Sequence, residues 1–152
     1  SGGLGLMCAR HFAIAEDTAF FSTPEIDRGI FPMMIMASIF RTVPRRKGLE
    51  LVLLGDRIDA ASAVSMGLIN QAVPADDLDR VVADLAARLA AKPPQTLALG
   101  LEAFYAQDSM SLEDALPYLE EMLVRCLQTE DAAEGLRSFA EKRAPVWRRP
   151  PR

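Results

Sequence analysis

Two short stretches of the sequence contain groups that could perform chemistry. Gly2 and Gly3 stand directly before an apolar helix start, where backbone N–H groups that no side chain shields could hold an anion or an oxyanion. Glu25 follows Thr23 and Pro24 in a loop, and its carboxylate could act as a general acid or base. Taken alone, each feature has a simpler interpretation, because a short glycine stretch is usually a turn and a carboxylate after a proline usually faces solvent.

Other kinds of active site find little support. The chain has one histidine, His11, and no serine or cysteine motif surrounds it, so neither a nucleophilic triad nor a metal site is predicted. Cys8 and Cys126 are far apart and lack the paired spacing of a zinc site or a disulfide scaffold. This use of cysteine favours a reducing compartment, and we expect a cytoplasmic location.

The composition predicts a globular chain without a membrane segment. Half of the 152 residues are hydrophobic, which is enough for a buried core. The 17 basic and 21 acidic residues give a net charge of −4, so nucleic acid is not an expected partner. The longest apolar run, residues 29–40, is too short to span a bilayer. Because the chain begins at Ser1 without a methionine or a leader, we expect it to be the later part of a longer protein.

Start and stop signals divide the first half into elements that would position these groups. Pro32 and Pro44 suit the first turns of two helices, and the second helix should end near Gly55. Asp59 can cap a short helix that Gly67 terminates. The expected strands are short and lie at residues 12–15, 19–21 and 68–73.

The second half is expected to be helical. Periodicity predicts a helix over residues 76–92, another after the two prolines 93 and 94, and two more that begin at Ser111 and Thr129. The helix after Ser111 has a stripe of leucines: Leu112, Leu116, Leu119, Leu123 and Leu127. Periodicity does not decide whether this leucine stripe covers the chain's own core or contacts another copy.

Four stretches, in this order and spacing, resemble the enoyl-CoA hydratase/isomerase (crotonase) family. They are residues 2–6, residues 20–30 around Pro24-Glu25-Ile26, residues 53–70 from Leu-Leu-Gly-Asp to Gly-Leu-Ile-Asn, and residues 139–147. The resemblance implies an α/β fold, namely the later turns of a crotonase-like ββα spiral followed by a C-terminal helical trimerisation region. The expected division is residues 1–74 for the spiral, 75–147 for the helical region and 148–152 for a frayed tail.

The resemblance also implies a mechanism. Family members hold the thioester carbonyl of an acyl-CoA between two backbone amides, and Gly2 matches one of these donors while Glu25 matches an acid/base. Two-glutamate hydratases carry a further glutamate where this chain has Gly5. One carboxylate is enough to move a proton within a 3-enoyl-CoA, so an isomerase is favoured slightly over an enoyl-CoA hydratase. Gly5→Glu is expected to raise hydration unless the larger side chain blocks the pocket.

Substrate contacts are implied in three places. Gly3 belongs to the oxyanion segment, whereas Met33 and Met34 stand where many relatives have a glycine-rich segment and would reshape the acyl pocket unless they pack in the core. Phe139 and Lys142 match residues that serve the CoA of a neighbouring subunit, in a homotrimer or a hexamer. The resemblance implies no cofactor other than the CoA of the substrate itself.

An interpretation of another class stays open, in which the chain is a catalytically silent crotonase-like fragment that serves as an assembly module. Gly5 in place of an acid and the expected upstream segment both support it. The genomic sequence before Ser1 would discriminate, because an in-frame extension favours the enzyme and a nearby start codon favours the silent module.

Overall fold

The computed structural model describes residues 2–148, and the chain divides into two compact units, residues 1–84 and 85–152. The first unit contains, in order, α1 (Gly2–Cys8), β1 (Ile14–Glu16), β2 (Phe20–Phe21), α2 (Met33–Thr42), α3 (Arg45–Leu54), β3 (Ile58–Asp59), α4 (Ala60–Ser65) and β4 (Gln71–Val73). The helix α5 (Leu78–Ala90) crosses the division. The second unit contains α6 (Pro94–Gln107), α7 (Leu112–Leu127) and α8 (Glu130–Ala140).

Local signals determine the helix ends of the first unit. α2 and α3 begin directly after Pro32 and Pro44, as predicted. α3 ends at Gly55, whose φ of 69° lies in the left-handed region that glycine tolerates best. Asp59 caps α4 by accepting a 2.7 Å hydrogen bond from the backbone N–H of Ser62. These predicted boundaries are therefore confirmed.

The strands form two small pairs in the first unit. β1 runs parallel to β4, with Ile14 opposite Gln71, and β2 runs antiparallel to β3, with Phe20 opposite Asp59. β1, β2 and β4 are shorter than the sequence predicted, because each pairs with only one described strand of two or three residues, and β3 was not predicted. The core of this unit lies under the helices and consists of Leu4, Ile39, Val43, Leu51, Val52, Ala63, Leu68 and Ile69.

A buried carboxylate joins two helices of the second unit. Asp131, in the first turn of α8, accepts hydrogen bonds from the backbone N–H groups of Gln95 at 2.6 Å and Thr96 at 3.3 Å. Since α6 begins after Pro93 without a side-chain cap of its own, Asp131 supplies acceptors for its first turn. The predicted starts of α7 and α8, after Ser111 and Thr129, are also confirmed.

The segment after α8 folds back onto that helix. Arg143 forms a two-pronged ion pair with Glu134, with one N–O distance of 3.0 Å, and Trp147 donates a 3.0 Å hydrogen bond to the carbonyl of Ala91. Arg148 pairs with Glu130 at 3.2 Å. The other four residues of the predicted tail lie outside the described residues.

The leucine stripe of α7 points away from the second unit. Four of its members are 57–74% exposed, and Leu119 is half-buried. The buried residues of α7 are instead Ala115 and Met122. Within the described chain the stripe therefore does not cover the unit's own core. Among residues 2–148, no helix combines the length and the apolar character needed to cross a membrane.

Candidate active site

Glu25 lies in a loop that contacts with α3 and with Gly55 hold in place. The hydroxyl of the fully buried Thr23 donates a 2.6 Å hydrogen bond to the carbonyl of Leu51 in α3. Gly55 packs against the same loop, since a Cβ at Gly55 would lie 2.8 Å from Cγ2 of Ile26 and 3.3 Å from the carbonyl oxygen of Thr23. The predicted Leu-Leu-Gly-Asp stretch thus supports the loop that carries Glu25.

The backbone of Glu25 is also fixed by its own turn. Its carbonyl accepts hydrogen bonds from the N–H groups of Arg28 and Ile30, both at 3.0 Å, around the short 3₁₀ turn Ile26–Arg28. Gly29 has a φ of 70°, which lets the chain reverse after this turn. The position of the Glu25 Cα is therefore determined without any use of its carboxylate.

One oxygen of the Glu25 carboxylate is buried without a hydrogen-bond partner. Its Oε2 is shielded from solvent and accepts no hydrogen bond from the described part of the chain. A recess of about 230 Å³ lies beside it, lined by Phe31, Pro32, Met33, Met34 and Ile35. Buried oxygens usually have a hydrogen-bond partner, so this exception makes Glu25 a candidate catalytic group of the described chain.

Met33 and Met34 form the outer wall of this recess rather than part of the core. They are 64% and 87% exposed, so within the described chain they do not pack in the core. Unbranched thioether side chains adapt to irregular apolar surfaces, and here they stand in the first turn of α2 next to Glu25. The structure therefore brings three of the predicted site residues together.

Gly2 and Gly3 form the first turn of α1, which packs against α2. Both are exposed, and a Cβ at either position would meet no atom within 4 Å. Helix geometry leaves the first N–H groups of α1 without an intrahelical acceptor. The described chain thus leaves the space around both glycines open.

Gly5 makes a contact that sequence reasoning missed. A Cβ at Gly5 would lie 2.5 Å from Cγ2 of Ile35, so α1 and α2 approach closely at this point. The sequence pattern identifies Gly5 as the site of a missing acid. Its position after Gly2 and Gly3 in a helix start gave no signal for contact with a residue thirty positions away.

Phe139 and Lys142 form a separate group in the second unit. Phe139 lies in the last turn of α8 and is 85% exposed. The N–H of Lys142 donates a 3.2 Å hydrogen bond to the carbonyl of Phe139. Lys142 has a φ of 53°, which is unusual for a residue with a side chain. This turn starts the segment that Arg143 ties back to α8.

A second recess of the first unit contains charged groups that pair with each other. A recess of about 310 Å³ between α3 and α4 is lined in part by Lys47 and Glu50, but these two form a 2.8 Å ion pair with each other. Their charges are thus already compensated. Among residues 2–148, no three His, Cys, Asp or Glu side chains are grouped so as to hold a metal ion.

Comparison with known proteins identifies the family. The model of the enoyl-CoA hydratase/isomerase family matches residues 1–150. The chain belongs to the enoyl-CoA hydratase/isomerase family. A relative from Xenopus laevis, enoyl-CoA hydratase domain-containing protein 3, mitochondrial, is 34% identical over 97% of this chain and 50% of its own length. A probable enoyl-CoA hydratase of Bacillus subtilis is 36% identical over 97% of this chain and 58% of its own length.

Solved structures of this family have the same fold. The crystal structure of an enoyl-CoA hydratase from Mycobacterium smegmatis matches with a TM-score of 0.91 and 28% identity, over 96% of this chain and 57% of that one. Human enoyl coenzyme A hydratase domain-containing protein 3 matches with a TM-score of 0.89 and 31% identity, over 95% and 57%. The predicted family and its crotonase-like α/β fold are confirmed. The chain spans half to three fifths of the length of the curated relatives just named.

Proposed function

We propose that the protein carrying this chain processes acyl-CoA thioesters, with Glu25 as its acid/base, and that it shifts the double bond of a 3-enoyl-CoA. The observation that carries the proposal is the buried, unpartnered Oε2 of Glu25 in an apolar recess. Membership of the enoyl-CoA hydratase/isomerase family supports the substrate class. The single carboxylate supports the isomerase within that class.

The proposed reaction moves one proton. The Glu25 carboxylate takes a proton from the α-carbon, and the C–H electron pair forms a dienolate whose charge is carried by the thioester oxygen. The protonated Glu25 then returns the proton to the γ-carbon, the oxygen becomes a carbonyl again, and the double bond lies between the α- and β-carbons. No other reactant is consumed, so one carboxylate is sufficient.

The resemblance assigns the stabilisation of the oxyanion to backbone amides. The N–H of Gly2, free of an intrahelical acceptor at the start of α1, is the donor proposed in this chain, and Gly3 contributes to the same segment. Donors placed where negative charge develops are each worth about 3–4 kcal/mol in the transition state. The open space around both glycines is compatible with a thioester approaching the backbone.

Binding of the substrate is proposed at two places. Met33 and Met34 would contact the acyl chain, since they line the Glu25 recess and remain exposed. Phe139 and Lys142 would contact the CoA of a neighbouring subunit in a trimer or a hexamer, a role that rests on the family resemblance. Neither described cysteine, Cys8 or Cys126, forms a disulfide, and a reducing compartment such as the cytoplasm stays our proposed location.

Hydration is the second candidate activity. It is supported by the names of relatives, which include a probable enoyl-CoA hydratase at 36% identity. The absence of a carboxylate at Gly5 weighs against it, because the paired mechanism needs one acid for the water and one for the α-carbon.

The test compares both activities in the full-length protein. Glu25→Gln should lower isomerisation of 3-enoyl-CoA by about a hundredfold or more, the range expected for a lost general acid or base, while acyl-CoA binding is largely kept. Glu16→Gln, which neutralises an exposed carboxylate of the same unit, is the matched control and should leave turnover unchanged. Wild-type turnover in Glu25→Gln would reject the assignment, and no turnover of either substrate by the natural protein would favour the silent module.

A further inference from the structure

The crossing of α1 and α2 has no room for a side chain at position 5. The position of a Cβ on Gly5 is 2.5 Å from Cγ2, 3.1 Å from Cβ and 3.7 Å from Cα of Ile35. A separation below 3 Å is far inside van der Waals contact. Any residue other than glycine at this position therefore requires Ile35 or α2 to move.

Ile35 has little freedom to give way. A β-branched side chain in a helix keeps essentially one χ1 rotamer, so Cγ2 is not free to swing aside. Rotation would in any case leave Cβ of Ile35 in place, at 3.1 Å from the added carbon. The short contact is thus set by the two helix backbones and by the β-branch together.

Ile35 also lines the recess that holds the Glu25 carboxylate. We propose that Ile35 determines the specificity of this site: by filling the space beside Gly5, it keeps Glu25 the only carboxylate in the recess and presents an aliphatic wall where a second acid would have to enter. This inference rests on the proposed function and deepens it. The site then takes an acyl chain that is apolar around its reacting carbons and disfavours the addition of water.

A stability measurement tests the steric part without any substrate. Replacing glycine by alanine inside a helix is ordinarily stabilising, so the sign of the change reports the contact. In the natural sequence Gly5→Ala should lower the melting temperature, whereas in an Ile35→Gly background the same change should raise it. Gly100→Ala is the matched control, because a Cβ there meets nothing within 4 Å in α6, and it should raise the melting temperature in both backgrounds.

An activity measurement tests the specificity part. Gly5→Glu alone should gain no hydration of 2-enoyl-CoA, because Ile35 occupies the space that the new side chain needs. If the clash is severe enough, this variant should not fold. Gly5→Glu combined with Ile35→Gly should hydrate about tenfold faster than the natural protein, a modest share of what a positioned acid or base provides. In that reaction the oxygen of water bonds to the β-carbon, one water proton passes to the introduced carboxylate, and the π electron pair moves onto the thioester oxygen as an enolate. Glu25, which enters this step protonated, then gives its proton to the α-carbon as the carbonyl re-forms. Proton exchange with solvent restores both carboxyl groups for the next turnover.

The outcomes separate this proposal from the proposed function. The proposal is overturned if Gly5→Ala raises the melting temperature of the natural protein, if Gly5→Glu alone hydrates as fast as the combined variant, or if the combined variant folds no better than Gly5→Glu. Failure of the proposed function has a different signature, which is full turnover in Glu25→Gln. The opposite effects of Gly5→Ala on the melting temperature in the natural and Ile35→Gly backgrounds do not depend on the turnover of Glu25→Gln.

Discussion

At the scale of single residues, Glu25 combines a fixed backbone with a buried carboxylate oxygen that has no hydrogen-bond partner in the described chain. Thr23, Gly55 and the turn after Glu25 hold the loop through contacts that do not involve the carboxylate. A buried oxygen without a hydrogen bond is unfavourable by itself, so it persists only because its surroundings determine its position. Under the proposed function, this arrangement would leave the carboxylate available to a substrate proton.

Thr23 is predicted to position Glu25 through its hydroxyl. In Thr23→Val the shape is kept but the 2.6 Å hydrogen bond to the carbonyl of Leu51 is lost. That carbonyl still accepts a 3.3 Å hydrogen bond from the N–H of Gly55, so the free energy of unfolding should fall by only about 1 kcal/mol. We expect kcat to fall while KM changes less, because the loop of Glu25 loosens.

Thr23→Ser is the control for this prediction, since it keeps the hydroxyl and removes only a methyl group. Urea unfolding and steady-state kinetics on a 3-enoyl-CoA would measure both effects. If Thr23→Val loses stability but keeps the kcat of the natural protein, Thr23 has a structural role alone.

The catalytic candidate was predictable from sequence, whereas its surroundings were not. Pro24-Glu25-Ile26 is a local pattern, and its residues stand next to each other in the chain. The burial of Oε2 depends on how the Glu25 loop packs, and the contact between Gly5 and Ile35 depends on how α1 and α2 pack, which no local pattern encodes. For this reason Gly5 was interpreted only through the acid that it lacks.

At the scale of elements, helix ends follow from local sequence signals, whereas the face that a helix buries depends on packing. Pro44, Gly55 and Asp59 act on their own neighbours, through fixed φ, tolerance of positive φ and side-chain capping, so the sequence predicted these boundaries. The periodicity of the α7 leucine stripe does not predict which way the stripe faces. In the structure Ala115 and Met122 are the buried residues of α7, so the leucines lie on its exposed face.

The segment after α8 gives a pH-dependent contribution to stability. Hydrogen bonds from Arg143 and from the N–H of Val146 lower the pKa of Glu134 from 4.5 to about 2. A carboxyl whose pKa is lowered on folding stabilises the protein fully above its unfolded value and loses that effect as the pH falls through the folded value. The contribution should therefore be constant above pH 4.5 and disappear between pH 4.5 and about 2.

Comparison of the natural protein with Glu134→Gln isolates this contribution. The difference between their urea midpoints should be constant at neutral pH and should shrink steadily on acidification through that interval. Glu120→Gln, which changes an exposed carboxylate of α7, should show no such difference. A difference that grows as the pH falls would contradict the assignment, because it would mean that the ion pair of Glu134 and Arg143 does not stabilise the fold.

At the scale of the whole molecule, the second unit has a large apolar surface that the described chain leaves uncovered. Leu112, Leu116, Leu123 and Leu127 are all more than half exposed on one helix. Exposed leucines in a contiguous stripe usually mark a surface that another protein covers. A second copy of the chain is the occupant that the resemblance implies, and Phe139 and Lys142 would then reach that copy's CoA.

The last prediction is that the natural full-length protein is a trimer or a dimer of trimers, and that the leucine stripe supplies part of the contact. Burying one leucine stabilises an interface by about 1.5–3 kcal/mol, and a buried unpaired aspartate opposes it. Leu116→Asp with Leu123→Asp should therefore dissociate the assembly, yet keep the helical content of each copy, because both side chains are exposed within the unit. Glu120→Gln with Glu121→Gln should leave the assembly intact. Sedimentation velocity at micromolar concentrations measures all three proteins, and a monomeric natural protein would reject both the assembly and the roles of Phe139 and Lys142 at a neighbour's ligand.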